Sequence, residues 1–251
     1  MITVTKPDLK VSIIMPVYKA RATIQQAISS VISQTYSNWE LIIVNDCCPD
    51  NSCLQVQDMI ISDLRIFRID NVTNQGVAIS RNKGIAKAEG NIIAFLDSDD
   101  YWHPEKLSLQ VDKIKKGYDV VCSNYMRIEL NTKTKEVPNK VEFDYSDMLK
   151  SNRIGNLTGI YRSDLIGKIY QKNVGHEDYI MWLEIVKIAK KGYCIQKSLA
   201  YYRVTNNSLS SNKFQAAFWQ WNVYRKEVNL SLIKSIWFFL NYSYTAYKKR
   251  Q

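Results

Sequence analysis

Asn91–Trp102 reads N-I-I-A-F-L-D-S-D-D-Y-W. Five apolar residues, Ile92 to Leu96, have the length of a strand buried on both faces, and they run straight into three carboxylates, Asp97, Asp99 and Asp100. In an open α/β sheet, ligands bind where the strands end, and carboxylates packed this closely repel one another unless a cation compensates them. Hard oxygen ligands at such spacing suit Mg²⁺ or Mn²⁺, ions that also bind diphosphates. The structural alternative is a strand followed by an ordinary Asp- and Ser-rich turn.

Working outward, Val11–Pro16 is strand-like, and Ile24, Ala27, Ile28, Val31 and Ile32 recur at helical spacing. Glu40–Val44 is a second buried strand, ended by the polar turn 45–52, and Leu54–Ile61 is helix-compatible. Arg65–Asp70 makes a third strand. Gln75–Glu89 predicts a helix closed by Gly90 as its C′ residue, immediately before the carboxylate strand. Four strand–helix alternations imply a mostly parallel, Rossmann-like sheet that sets the loops at Tyr18, Asp46 and Asp97 along one edge.

The chain has 251 residues, 46% of them apolar, enough for one large α/β domain with an appendage. A formal charge of +10, with an isoelectric point near 9.2, calls for an anionic partner. The charge is uneven: from Tyr201 to Gln251 eight lysines and arginines face a single acid, Glu227. Five cysteines without a C-x-x-C pair, and two histidines, indicate neither a disulfide framework nor a zinc site, and fit a reducing cytosol. The short apolar stretch 11–18 is broken by Pro16 and lacks a cleavage site, so no signal peptide is expected. Neither G-x-x-x-x-G-K-[ST] nor G-x-G-x-x-G follows the first strand, so a diphosphate would need a metal instead.

Four motifs in order, V-S-I-I-M-P-V-Y (11–18), E-L-I-I-V-N-D (40–46), G-V-A-I-S-R-N-K-G-I-A-K-A-E-G (76–90) and F-L-D-S-D-D (95–100), resemble the inverting family-2 glycosyltransferases of the GT-A fold. The resemblance covers Val11 to Leu209, and its latter part looks like the bacterial surface-polysaccharide branch of teichuronic-acid and O-antigen transferases. It implies that Tyr18 stacks on uracil, Asp46 bonds the base, Arg81 approaches the nucleotide, Asp97 reaches the ribose and Asp99, of the DXD motif, ligates the metal. Pro16 and Asp100 are secondary candidates. A flat ring, a carboxylate and an arginine fork suit a base face, the uracil N3 proton and phosphate oxygens respectively. Taken singly, each residue also has a structural account: packing for Tyr18, a turn for Asp46, a solvated helix charge for Arg81. The usual D-D-G-S-T-D is altered at Asn45, Cys47, Cys48 and Pro49, while Asp46 is retained.

Further on, Pro104 can open a helix reaching about Lys116, Tyr118–Asn124 reads as a strand, Asn131–Lys140 as an exposed hairpin or loop, and Leu157–Tyr161 as a short strand under the acceptor site. G-H-E-D-Y-I-M-W-L-E-I-V (175–186) predicts a helix with Glu177 and Asp178 at its positive end, where dipole stabilisation alone is worth less than about 1 kcal/mol. By the resemblance this segment supplies the general base, Asp178 in preference to Glu177. His176 beside it is more simply structural. In A-Y-Y-R-V-T-N-N-S-L-S-S-N (200–212), Arg203 is expected near phosphate. A histidine that many members carry near Thr205 is missing, leaving water, Thr205 or Ser208 as the third metal ligand.

From Lys213 onward, 11 of the chain's 29 aromatic residues are interleaved with basic ones. The longest uncharged run, Ser235–Tyr247, has 13 residues against the roughly 20 a spanning helix needs. An interfacial helix on an anionic membrane fits this composition. The alternative is a helical pair packed on the catalytic domain or on a second subunit, as in a homo-oligomer.

The expectation is a GT-A catalytic domain over 1–212, with a nucleotide half to about 102 and an acceptor half from 103, then a basic aromatic helical tail over 213–251. Its expected activity is inverting transfer of a hexose or N-acetylhexosamine from a UDP-sugar to a polyprenyl-diphosphate-linked saccharide, dependent on Mn²⁺ or Mg²⁺, at the cytoplasmic face of the membrane. The alternative is a catalytically degenerate sugar-nucleotide binder or membrane scaffold. A nucleotidylyltransferase would need a Gly-rich first loop that is missing. A nucleic-acid partner would explain the basic tail but not the carboxylates at a buried strand end.

Overall fold

The computed structural model describes residues 8–129, 134–204 and 213–248. Its first half is a parallel sheet of four strands, β1 (Val11–Val17), β2 (Trp39–Asn45), β3 (Ile66–Asp70) and β4 (Ile92–Phe95), in the order β3-β2-β1-β4. Helices α1 (Ile24–Ile32), α2 (Ser52–Gln55), α3 (Gln57–Ser62) and α4 (Val77–Lys87) connect them. Every residue of β1 and β4 is buried, which their apolar runs demand. Alternate residues feed two separate cores. Ile13, Met15, Ile43 and Ala94 meet α1 on one face, whereas Ile14, Ile42, Ile93 and Phe95 meet α4 on the other.

The expected helix over 54–61 is instead two short helices that break at Val56, whose ψ of 15° leaves the helical range. Helix α4 stops at Lys87, earlier than the predicted end, and Gly90 is not its left-handed cap. Gly90 is needed for closeness: a Cβ there would lie 2.6 Å from the Lys10 carbonyl and 2.7 Å from Ser12 Oγ. A polar clamp sits at this spot. Glu40, 3% exposed, accepts from Ser12 Oγ and from the Glu89 N–H and pairs with Lys10 Nζ at 2.6 Å.

Beyond β4 the sheet becomes mixed. The further elements are β5 (Tyr101–Trp102), α5 (Lys106–Lys115), β6 (Val120–Glu129), β7 (Lys135–Val137), β8 (Glu142–Asp144), α6 (Tyr145–Lys150) and a 3₁₀ turn (Asn156–Thr158). They are followed by β9 (Ile160–Arg162), α7 (Ser163–Ile166), α8 (Glu177–Ala189) and β10 (Lys191–Val204). Strand β9 lies antiparallel between β4 and β6, and β10 runs parallel to β6 before pairing antiparallel with β5. Thus the parallel expectation holds over the first four strands. The short strand expected at 157–161 is divided between the 3₁₀ turn and β9, while β7 forms the expected hairpin arm on β6.

The tail forms α9 (Lys213–Asn222), a π-helical turn (Val223–Glu227) and α10 (Leu232–Lys248). Part of it is core. Tyr224 and Phe238 are buried in the cluster that contains α8, and Tyr224 donates to the Leu149 carbonyl at 2.5 Å. Of the tail's aromatics, Trp219 packs on His176 and Trp221 on Phe239, so these serve packing as the structural alternative held. The outward face of α10 is nonetheless apolar: Ile233, Ile236, Trp237, Leu240 and Tyr244 are exposed at helical spacing. No helix of the described residues is long and apolar enough to cross a membrane.

Candidate active site

The parallel strands deliver Tyr18, Asp46, Asn71 and Asp97 to one sheet edge, each just past a strand. Tyr18 is 45% exposed with Lys19 Nζ 5.2 Å from its ring, a surface position open to a stacking partner. Asp46 is only 3% exposed. Its carboxylate accepts from Asn71 Nδ2 at 2.7 Å and from the Gln75 and Gly76 N–H groups at 2.8 Å each. Burial pushes the Asp46 carboxyl up, but the bonds from Asn71, Gln75, Gly76 and Ser80 prevail and hold it below its ordinary range. Asp46 therefore also pins the turn that starts α4. Pro16 lies deep in β1, beyond the last residue of β4 paired with that strand, where its missing N–H leaves the ladder intact.

Asn45, a departure from the family motif, has its own fit. Its amide donates to Asp70 at 2.6 Å and accepts from the Cys48 N–H at 3.2 Å, a combination that an ionised aspartate cannot supply.

Arg81 projects from α4 into the middle of the site, 5% exposed. Its Nη2 donates to Asp97 Oδ1 at 2.6 Å, while Nη1 donates to Gln171 Oε1 at 3.2 Å and lies 3.8 Å from Glu177 Oε1. Burial disfavours the guanidinium charge, but Asp97, Asp178 and Glu177 more than offset that and raise its pKa. One cation thus joins the end of β4 to the start of α8. Glu177 is raised, first by burial and then by Asp178. Asp178 accepts the Tyr179 N–H at 2.8 Å through Oδ1. Arg81, Asp97, Glu177 and Asp178 line one cavity of about 260 Å³, closed on its far side by Tyr125, Asn156 and Tyr202. Tyr18 and Asp46 do not line it; they lie toward the β1–β2 end of the edge.

The remaining carboxylates are crowded. Asp99 is raised by burial and then by Asp97, and Asp100, fully buried, is pushed up to about 9 by burial and then by Asp97 and Asp99. Asp100 Oδ1 accepts the Arg203 N–H at 2.9 Å, but its Oδ2 is buried with no partner among the described residues. Arg203 braces this turn, donating from Nη1 to the Asp99 carbonyl at 2.5 Å and from Nη2 to Gln26. Among the described residues no group of three or more His, Cys, Asp or Glu side chains is arranged to hold a metal alone. Crowded carboxylates, with the orphaned Oδ2 of Asp100 among them, fit a divalent cation that takes one or two protein ligands and completes its shell with substrate phosphate. Thr205 and Ser208 lie outside the described residues.

His176 adopts a left-handed conformation (φ 63°) at the start of α8 and its Nε2 is 3.2 Å from the Ala216 carbonyl, a tie to the tail. Several residues of the site were not singled out from sequence. Asn71 follows the same strand-end rule as Asp46, whereas Gln171, Tyr125, Asn156 and Tyr202 come from irregular segments and the far sheet, where no local pattern marks them.

Known proteins bear on this geometry. The UDP-Glc:alpha-D-GlcNAc-diphosphoundecaprenol beta-1,3-glucosyltransferase WfgD of Escherichia coli is 37% identical over 96% of this chain and 95% of its own length. TuaG of Bacillus subtilis (strain 168), a glycosyltransferase named for teichuronic acid biosynthesis, is 35% identical over 96% of this chain and 97% of its own. The crystal structure of Staphylococcus aureus TarS 1–349 in complex with UDP-GlcNAc superposes with a TM-score of 0.75 at 20% identity, covering 93% of this chain and 71% of that one, and so shares the GT-A fold. The profile of Glycosyl transferase family 2 matches residues 12–174, and with relatives this similar along their whole length the chain belongs to that family.

Proposed function

We propose that this protein is an inverting glycosyltransferase that moves a hexose or N-acetylhexosamine from a UDP-sugar to a hydroxyl of a polyprenyl-diphosphate-linked saccharide in bacterial surface-polysaccharide synthesis. The observation that carries this reading is the single cavity in which Asp97 and Asp178 come together on either side of the buried Arg81. The names of WfgD and TuaG support the substrate class.

Tyr18 offers its ring to the uracil, and Asp46 accepts the base N3–H while keeping the 71–76 turn in place. Asp97 meets the ribose. Arg81 orients Asp97 and Glu177 and sets a positive charge beside them. Asp99, with Asp97 as a second oxygen donor, would hold Mn²⁺ or Mg²⁺, which when bound offsets the charge that grows on the departing diphosphate. Arg203 adds positive charge beside the same phosphates. Asp178 takes the proton of the acceptor hydroxyl as it attacks the anomeric carbon from the face opposite UDP. With Asp178 acting as base on the acceptor hydroxyl rather than as a nucleophile on the sugar, transfer is one displacement and the anomeric centre inverts.

The tail brings this site to its lipid-linked acceptor on the cytoplasmic membrane face. The apolar outer stripe of α10 can sit among acyl chains while neighbouring Lys and Arg meet anionic headgroups, each worth about 1 kcal/mol near the surface.

The test is transfer from labelled UDP-sugars to a synthetic GlcNAc-diphosphate-lipid. Product with at least one UDP-sugar is expected. UDP binding without product from any of them would leave the degenerate-binder alternative, which the altered 45–49 turn motivates.

A further inference from the structure

Six buried side-chain N or O atoms have no hydrogen-bond partner among the described residues: Trp39 Nε1, Arg81 Nε, Asp100 Oδ2, Ser123 Oγ, Arg153 Nε and Asn156 Nδ2. Such orphans cost free energy, so native proteins keep few of them, and a cluster marks a place where something else completes the bonding. Trp39 stands apart. Arg81 and Asp100 belong to the donor side already described. Of the other three, Ser123 and Arg153 line a second cavity, of about 190 Å³, that shares Tyr125 and Gly155 with the reaction cavity, and Asn156 lines the reaction cavity next to those shared residues.

The chemistry of this second cavity is one-sided. Its asparagine oxygens each already accept one hydrogen bond: Asn139 Oδ1 from the Lys140 N–H at 2.9 Å and Asn152 Oδ1 from the Ile154 N–H at 3.0 Å. At the junction, Trp182 Nε1 donates to Asn156 Oδ1 at 3.2 Å, which turns the amide so that its Nδ2 is the atom left over. Ser123 is 3% exposed and Asn156 7%, so neither donor is satisfied by bulk water. Among the described residues no carboxylate lines the cavity, and Arg153 is the one charged residue that does. Of the orphaned atoms, Arg153 Nε and Asn156 Nδ2 can only donate, and the Ser123 hydroxyl can donate as well as accept. An oxyanion, which only accepts and carries the charge that the guanidinium lacks as a partner in this lining, matches them better than a neutral sugar does.

We propose that this cavity binds the diphosphate of the acceptor, with Arg153 Nε, Ser123 Oγ and Asn156 Nδ2 donating to its oxygens. The assignment rests on the lipid-diphosphate acceptor of the proposed function and adds the residues that recognise it. Its place fits the reaction. When the acceptor is a single sugar on a diphosphate, the reacting hydroxyl and the anion are one sugar ring apart. The two joined cavities present a carboxylate, Asp178, for the hydroxyl and a guanidinium, Arg153, for the anion. Opposite charge in the two compartments also sets orientation, because a reversed acceptor would put its phosphates against Glu177 and Asp178.

The test compares GlcNAc-diphosphate-phenylundecyl with the same sugar on an uncharged alkyl chain. The wild-type protein is expected to favour the charged acceptor in kcat/KM, and Arg153→Gln and, separately, Ser123→Ala should shrink that ratio, by about ten-fold or more for Arg153→Gln. A general loss of fold lowers both rates and leaves the ratio unchanged. Binding of methylenediphosphonate to the UDP-saturated protein, followed by calorimetry, gives a second readout that needs no turnover. A second site weakened in Arg153→Gln supports the proposal. If neither acceptor is glycosylated by the wild type, the proposed reaction fails, yet the calorimetry still decides the cavity. Equal acceptor ratios in wild type and variants, or methylenediphosphonate binding indifferent to Arg153, would overturn it.

Discussion

Arg81 Nη2 lies 2.6 Å from Asp97 Oδ1, and the same guanidinium is 3.8 Å from Glu177, so one buried cation bridges the donor strand end and the helix that carries Asp178. Arg81→Met should therefore damage both sides of the site together. Removing one partner of a buried charge pair costs about 3–5 kcal/mol, and the partial exposure of Asp97 and Glu177 places the expected loss at the low end, about 3 kcal/mol. Chemical denaturation measures it. A variant as stable as wild type, with full turnover, would make Arg81 a dispensable helix charge.

Asp178→Asn should lower turnover on the order of 10²-fold or more while UDP affinity stays within a few-fold, because the proton acceptor acts only as the acceptor hydroxyl attacks. UDP titration beside steady-state kinetics separates the two. A parallel loss of UDP binding would place Asp178 in the nucleotide site instead.

Tyr18, 45% exposed at the end of β1, is positioned to lose little on folding and much on binding if it stacks on uracil. Tyr18→Leu should weaken UDP by about 1–3 kcal/mol. Unchanged affinity by calorimetry would reduce Tyr18 to a surface residue.

The Glu40 clamp predicts a pH dependence. Burial raises the Glu40 carboxyl, but Lys10, Ser12 and the Glu89 N–H outweigh it and hold its folded pKa below the ordinary value. A depressed folded pKa gives stability that is present above the unfolded pKa, about 4.3, and is lost as pH falls through the folded one. Glu40→Gln should thus be less stable than wild type by about 1–3 kcal/mol at pH 7, and the gap in Tm should close as pH drops below about 4. A gap that is constant with pH would mean that the carboxylate charge contributes nothing.

For the tail, Ile233→Ser with Leu240→Ser should weaken binding to anionic vesicles, and raised salt should release the protein, since exposed charges are screened within about 8 Å at physiological ionic strength. Activity on a short soluble acceptor should persist. Co-sedimentation unaffected by either change would mean that the α10 stripe meets protein rather than lipid.

Much of this was legible in the chain because strand ends announce themselves. The strand-like runs Val11–Pro16, Glu40–Val44 and Ile92–Leu96 lead into polar or aromatic residues, and parallel topology gathers those ends on one edge, so the sequence alone sets Tyr18, Asp46 and Asp97 along it. The break at Val56 and the real reason for Gly90 were not legible, since both depend on what packs opposite. Tail aromatics illustrate the same limit: Phe238 and Trp237 are adjacent in sequence, yet one is buried against Tyr224 and the other faces out, and only the path of α10 separates them. The acceptor side was least visible. Tyr125, Arg153 and Asn156 lie in a mixed sheet and irregular turns, where neither a period of 2 nor of 3.6 marks the inward residue.

The central claim, metal-assisted inverting transfer from a UDP-sugar, is tested most directly by NMR of the product. The protein is incubated with UDP-glucose, UDP-galactose and their N-acetylated forms plus a GlcNAc-diphosphate-lipid, with Mn²⁺ or with excess EDTA. The account predicts a β-linked product from an α-configured donor, formed with Mn²⁺ and lost in EDTA. An α-linked product, or equal yield in EDTA, would contradict it.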